Sequence, residues 1–101
     1  MDVSIIIPVK NEEDNILRLA REVSAAFADK PYRWECIWID DGSTDRTQQR
    51  LEDSRRMDDR HRYLALEKNM GKSAAQWAGF RAARGDIICT IDGDCQNDPA
   101  D

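Results

Sequence analysis

Four short apolar runs, each broken by a cluster of polar and turn-forming residues, constrain this chain more than any other feature. Val3-Ser4-Ile5-Ile6-Ile7 is rich in β-branched residues and stopped by Pro8, which reads as a buried strand. Trp34 to Ile39 is a second such run, closed by Asp40-Asp41-Gly42-Ser43; Tyr63 to Leu66 is a short third; Ile87 to Ile91 is the fourth. Between them the period changes to that of a helix. Asn11 is placed to cap a first helix, with Glu12, Glu13 and Asp14 in its first turn, where the helix dipole favours acids. Ile16, Leu19, Ala20, Val23 and Phe27 then supply an amphipathic stripe. A weaker pattern, carried by little more than Thr47 and Leu51, predicts a helix over 44–56. An Ala-rich segment over 71–83, apolar nearly all round, predicts a third helix that is well buried.

The resulting order, β-α-β-α-β-α-β with short connections, is that of an α/β fold. It predicts an open parallel sheet with helices on both faces. In such sheets ligands bind outside the carboxyl ends of the strands. Four polar clusters fall on that one edge: Pro8 to Glu12, Asp40 to Thr44, Glu67 to Gly71, and Asp92 to Gln96.

The last cluster carries the sharpest chemistry. Residues two apart on an extended strand point the same way, and Gly93 allows a tight turn, so Asp92 and Asp94 converge. Paired hard oxygens suit Mg²⁺ or Mn²⁺ with positions left open for substrate phosphates. Taken alone, the triplet is equally a surface Asp-Gly turn; its place on the ligand edge favours the metal reading.

Several site types fail on spacing. No glycine follows the first strand, so the G-x-G-x-x-G turn of a dinucleotide fold is absent. Gly71-Lys72-Ser73 imitates the tail of a P-loop, but the glycine that should open that motif falls at Leu66. Asp92-x-Asp94-x-Gln96 starts like a calcium loop, yet Asn97 occupies the glycine position and a strand precedes it. A net charge of −5 argues against a nucleic-acid partner. The arginines between Arg46 and Arg62 are interleaved with Glu52, Asp53, Asp58 and Asp59, which predicts a solvated helix face and loop. Cys36, Cys89 and Cys95 form no C-x-x-C pair and His61 is the only histidine, so neither a zinc site nor a disulfide framework is expected. No apolar run approaches the roughly 18 residues of a membrane span, and there is no signal-peptide pattern, so a cytoplasmic setting is expected.

The motifs, taken in order, resemble the N-terminal, nucleotide-sugar-binding half of a family 2 glycosyltransferase of GT-A fold. The matching stretches are Ile6-Ile7-Pro8-Val9-Lys10-Asn11-Glu12-Glu13 and Ile39-Asp40-Asp41-Gly42-Ser43-Thr44-Asp45. They continue with Asn69-x-Gly71-Lys72, Ala74-Ala75, Gly79 and Ala83-x-Gly85-Asp86, and end with Asp92-Gly93-Asp94-Cys95-Gln96 and Pro99. Gln96 and the Gly71-Lys72 pair are most similar to polyprenyl-phosphate sugar transferases of the dolichol-phosphate mannosyltransferase type. Lys10 stands where an aromatic is common, and Gly93 where alanine is usual.

The resemblance implies strand order 3-2-1-4 and a set of roles. Asp41 would accept hydrogen bonds from the nucleobase, and Pro8, Val9 and Glu12 would line the base and ribose pocket. Lys72 would offset diphosphate charge. Asp92, Asp94 and Gln96 would hold the metal on the diphosphate of a nucleoside-diphosphate sugar, while a polyprenyl phosphate would be the acceptor. Each role has a plainer rival: Asp40-Asp41 as a helix-capping turn, Lys72 as a solvated first-turn lysine. A saccharide acceptor, or a nucleotide-binding module without catalysis, would carry the same motifs. The resemblance also implies that an acceptor-binding half, with any general base and in some relatives membrane helices, follows Asp101. No catalytic residue is therefore assigned within 1–101, and membrane association is expected of the longer protein. A four-strand sheet ending at an open fourth strand predicts marginal stability and self-association of the chain alone.

Overall fold

A computed structural model describes residues 1–91. Four strands and three helices alternate: β1 (Val3–Val9), α1 (Ile16–Phe27), β2 (Trp34–Asp40), α2 (Thr47–Met57), β3 (His61–Ala65), α3 (Lys72–Ala82) and β4 (Ile87–Thr90). The strands pair in parallel in the order β3-β2-β1-β4, as expected. β1 and β2 are central, with Ile5 opposite Cys36 and Ile7 opposite Trp38.

Strand alternation sorts the side chains between two cores. Val3, Ile5, Ile7 and Val9 of β1, with Trp34, Cys36 and Trp38 of β2, pack against Ile16, Leu19, Ala20 and Val23 of α1 and Leu51 of α2. Ile6, Ile37 and Ile39 face the other way, toward Ala75 of α3. Helix α3 lies close to the sheet: a Cβ at Gly79 would overlap the Ile6 side chain. Helices thus cover both faces, and all seven residues of β2 are buried.

Three expectations are corrected. Helix α1 starts at Ile16 with Asn15 at its N-cap position, not after an Asn11 cap, and no acid lies in its first turn. Asn11 instead adopts a left-handed backbone (φ 52°) and turns its side chain to another loop. Helix α3 buries Ala75 and Gly79 but leaves Trp77 and Phe80 63% and 41% exposed, because only its small-residue face meets the sheet. The Arg46–Arg62 stretch is not uniformly solvated. Arg50 pairs with Asp53 and Arg55 with Glu52 along α2, but Arg62 donates two hydrogen bonds to the buried Glu35 carboxylate. Among the described residues β4 is the outermost strand on its side of the sheet, and all four of its residues are exposed.

Candidate functional site

The carboxyl edge of the sheet gathers the sequence-predicted residues that fall within the described segment. Pro8 is half-buried at the end of β1. Val9 follows it, but its side chain belongs to the core and is 3% exposed; its carbonyl accepts the Asp41 N–H. Glu12 stands in the β1–α1 loop with its carboxylate accepting from the Asn15 side chain at 2.8 Å. Lys72 opens α3. Asp92, Asp94 and Gln96 lie outside the described residues. Among the described residues no group of three acidic, histidine or cysteine side chains could hold a metal.

Two of the edge loops are laced together. The Thr44 N–H donates to Asn11 Oδ1 at 2.8 Å, and Ser43 Oγ accepts the Asn11 N–H at 2.9 Å. Thr47 Oγ1 accepts the Glu12 N–H at 2.8 Å, and Asp45 reaches the Glu13 N–H. These bonds hold the amides of residues 11–13 to the β2–α2 loop in a non-helical path, and α1 begins after them. Burial pushes the Asp45 carboxyl up, but bonds from the Thr47 hydroxyl and N–H and from the Glu13 N–H outweigh it and hold it below the usual range.

The adjacent aspartates divide their work. Asp40 Oδ1 accepts the Ser43 N–H at 3.0 Å, a turn-stabilising bond of the kind expected of Asp before Gly-Ser. Asp41 is buried and turns to the opposite face. Its Oδ1 accepts the Met70 N–H at 2.7 Å and its Oδ2 the Gly71 N–H at 3.0 Å. Gly42, at φ 75°, lets the chain turn there, and a Cβ on it would overlap the backbone of Lys68 and Asn69. The β3–α3 loop therefore rests directly on the Asp41-Gly42 turn. Sequence reasoning did not find this contact. The signal for it was the period of two, which puts Asp41 on the same face as Ile37 and Ile39, under α3.

The amino edge is different in kind. His61 at the start of β3 accepts the Trp38 indole N–H on Nδ1 at 3.0 Å, so the proton of the neutral ring is on Nε2, 2.8 Å from Ser24 Oγ. Ser24 in turn donates to Asp58 at 2.9 Å. The trio contains the residue types of a hydrolase triad, but the ring presents an N–H to the serine and cannot take its proton. Burial pushes the His61 pKa down, against the pull of Asp58. A cleft of about 250 Å³ beside the trio is lined by Arg21 and Met57 as well. The trio's polar groups satisfy one another within the fold.

A parallel sheet of order 3-2-1-4 is common to several nucleotide-binding folds, and solved GT-A glycosyltransferases superpose on this one. Residues 4–101 match the family model described as glycosyl transferase family 2, and the chain belongs to that family. It is 43% identical over 105 residues to a dodecaprenyl-phosphate galacturonate synthase of Rhizobium johnstonii, covering 100% of this chain and 30% of that protein. It is also 43% identical over 98 residues to an undecaprenyl-phosphate 4-deoxy-4-formamido-L-arabinose transferase of Pseudomonas fluorescens, covering 96% of this chain and 29% of that protein. Among solved structures, glucosyl-3-phosphoglycerate synthase from Mycobacterium tuberculosis, in complex with Mn²⁺, UDP and glucosyl-3-phosphoglycerate, superposes with a TM-score of 0.73. It is 30% identical, over 91% of this chain and 33% of that one. The chain thus spans about a third of the length of these proteins or slightly less. No helix among the described residues is long and apolar enough to cross a membrane.

Proposed function

We propose that this chain is the donor-binding part of a transferase that moves a sugar from a nucleoside-diphosphate sugar to a polyprenyl phosphate. What carries the reading is the identity, over essentially the whole chain, to two transferases named for polyprenyl-phosphate acceptors. In the reaction an acceptor phosphate oxygen attacks the anomeric carbon, the bond from that carbon to the diphosphate breaks, and nucleoside diphosphate leaves. An anionic nucleophile needs no strong base, which fits a chain whose one histidine is buried at the opposite edge of the sheet.

In this reading Asp41 accepts from the nucleobase, with Pro8, the Val9 backbone and Glu12 beside the base and ribose. Lys72, at the start of α3, offsets diphosphate charge. The two carboxylates of Asp92 and Asp94 and the amide oxygen of Gln96 are a hard-oxygen donor set that fits Mg²⁺ or Mn²⁺. Such an ion stabilises the charge that develops on the leaving diphosphate. The superposed Mycobacterium tuberculosis synthase, crystallised with Mn²⁺ and UDP, supports a divalent ion here. The cytoplasm, where nucleotide sugars are found, suits the donor end, and the lipid acceptor would bring the longer protein to a membrane surface.

Calorimetric titration of UDP and GDP tests the assignment. Mn²⁺ should strengthen diphosphate binding, and Asp94→Asn should remove that gain. Lys72→Ala should weaken the diphosphate but not the bare nucleoside, by roughly 1.5–3 kcal/mol for a lost charge-assisted bond. Equal nucleotide affinity with and without Mn²⁺ would sink the metal site.

A further inference from the structure

The contact between Asp41 and the β3–α3 loop bears on how a base could reach that carboxylate. Both of its oxygens are engaged by consecutive backbone amides, Met70 at 2.7 Å and Gly71 at 3.0 Å. The two donors are not equivalent. The Gly71 N–H is shared with Asn69 Oδ1 at 3.1 Å, so it has a second acceptor in place. The Met70 N–H has Asp41 alone among the described residues.

N–H groups aimed at a carboxylate are also what the pairing edge of a uracil or guanine offers: one N–H in the first, an N–H beside an amino group in the second. We propose that the β3–α3 loop occupies Asp41 in place of the nucleobase, and that an arriving base displaces the Met70 N–H while Gly71 falls back on Asn69. The inference rests on the reading of Asp41 as the base acceptor and adds to it a loop that must yield. Bonds to a carboxylate are charge-assisted, so Asp41 is stably satisfied without ligand and the loop lies closed on Gly42. Met70 stands two residues before Lys72. Release of its amide therefore alters the path of the chain into the residue assigned to the diphosphate, and base recognition is relayed to the phosphate end of the site. Asn69 is then a positioning residue, because it makes the exchange cost one hydrogen bond instead of two.

Amide exchange measured by NMR on the whole 101-residue chain, with uridine and guanosine added separately, tests this. The nucleoside that binds should speed exchange at Met70 by about tenfold or more, the equivalent of one lost bond, and leave Gly71 nearly unchanged. Asn69→Ala should weaken nucleoside binding several-fold, with β2 amide protection in the same spectra showing that the fold is intact. Nucleoside binding with Met70 protection unchanged would overturn the displacement while leaving Asp41 as the base acceptor. Binding that is indifferent to Asp41→Asn, or no binding of either nucleoside, would overturn the base reading and this inference with it.

Discussion

β2 and β4 are both short, apolar, β-rich segments of one sheet, and they meet opposite fates. Every residue of β2 is buried, with β1 and β3 on its flanks and helices above and below. Every residue of β4 is exposed, with Ile87 at 61% and Ile88 at 42%. Apolar character makes a strand, but neighbours make a core. β4 is held by its ladder to β1 and by a polar knot at its entry. There Glu35 of β2 accepts the Arg84 N–H at 2.8 Å, and Ser4 of β1, which donates to Glu35, accepts the Gly85 N–H at 2.8 Å. The buried strand thus anchors the exposed one through a carboxylate. Burial pushes the Glu35 carboxyl up, but bonds from Ser4, the Arg84 N–H and Arg62 prevail and hold it below its ordinary value.

The contrast can be broken at its buried end first. Trp38→Ala would open a cavity between sheet and helices and leave His61 Nδ1 without its donor, a loss of about 3–5 kcal/mol. Denaturant titration should find that variant largely unfolded in water; a small shift in midpoint would mean that the α1–α2 core is looser than its burial implies. Next comes the joint. Glu35→Ala leaves Arg62, the Ser4 hydroxyl and the Arg84 N–H facing an apolar gap, at a cost of roughly 3 kcal/mol. Hydrogen exchange should show β4 amides losing protection before those of β2; equal loss in both would mean that the knot serves the whole sheet and not β4.

A pH effect is smaller and has a fixed sign. Burial depresses the His61 pKa in the folded chain, so the unfolded chain takes up the proton first, near pH 6.5. The stability that this group contributes is complete above about pH 6.5 and is lost as pH falls through the folded value. His61→Gln should flatten the pH dependence of the urea midpoint between about pH 6.5 and 5, a window above the ordinary carboxylate range. The smallest effect on folding belongs to Ile88→Ser, within about 0.5 kcal/mol as for an exposed site. Its effect on association is larger: light scattering should show fewer oligomers than the parent chain, since we propose that copies meet at the β4 edge. A strictly monomeric parent at high concentration would defeat that proposal.

Much of this was legible in the chain. Strand count and the polar carboxyl edge follow from where the apolar runs stop and turn residues begin, and the strand boundaries hold to within about two residues; the spatial order comes from the family resemblance. The start of α1 was not legible, because Asn11 serves equally as a cap or as a left-handed turn, and only the loop across the edge at Thr44 decides. Nor was the exposure of α3. Residues apolar all round a helix imply burial, yet Ala75 and Gly79 sit down on the sheet and leave Trp77 and Phe80 uncovered. At the candidate site, the pair Asp40-Asp41 stood out in the chain as a polar strand end, but the partner of Asp41 lies 29 residues on and leaves no local pattern. The reading of Asp92, Asp94 and Gln96 falls outside the described residues.

The knot at the entry to β4 also dictates a schedule for the chain as it is made. The bond from Gly85 to Ser4 closes a span of 81 residues, whereas β1 and β2 register across about 30. Contacts distant in sequence form late because closing the longer loop costs more entropy. β1, α1 and β2 can therefore collapse before β4 has emerged, and β4 arrives at a platform already formed. Until then the outer side of β1 stands open, with unpaired backbone from Val3 to Ile6 facing water. During that interval the β1 edge is open to mispairing with strands of other nascent proteins, as the β4 edge is in the folded chain.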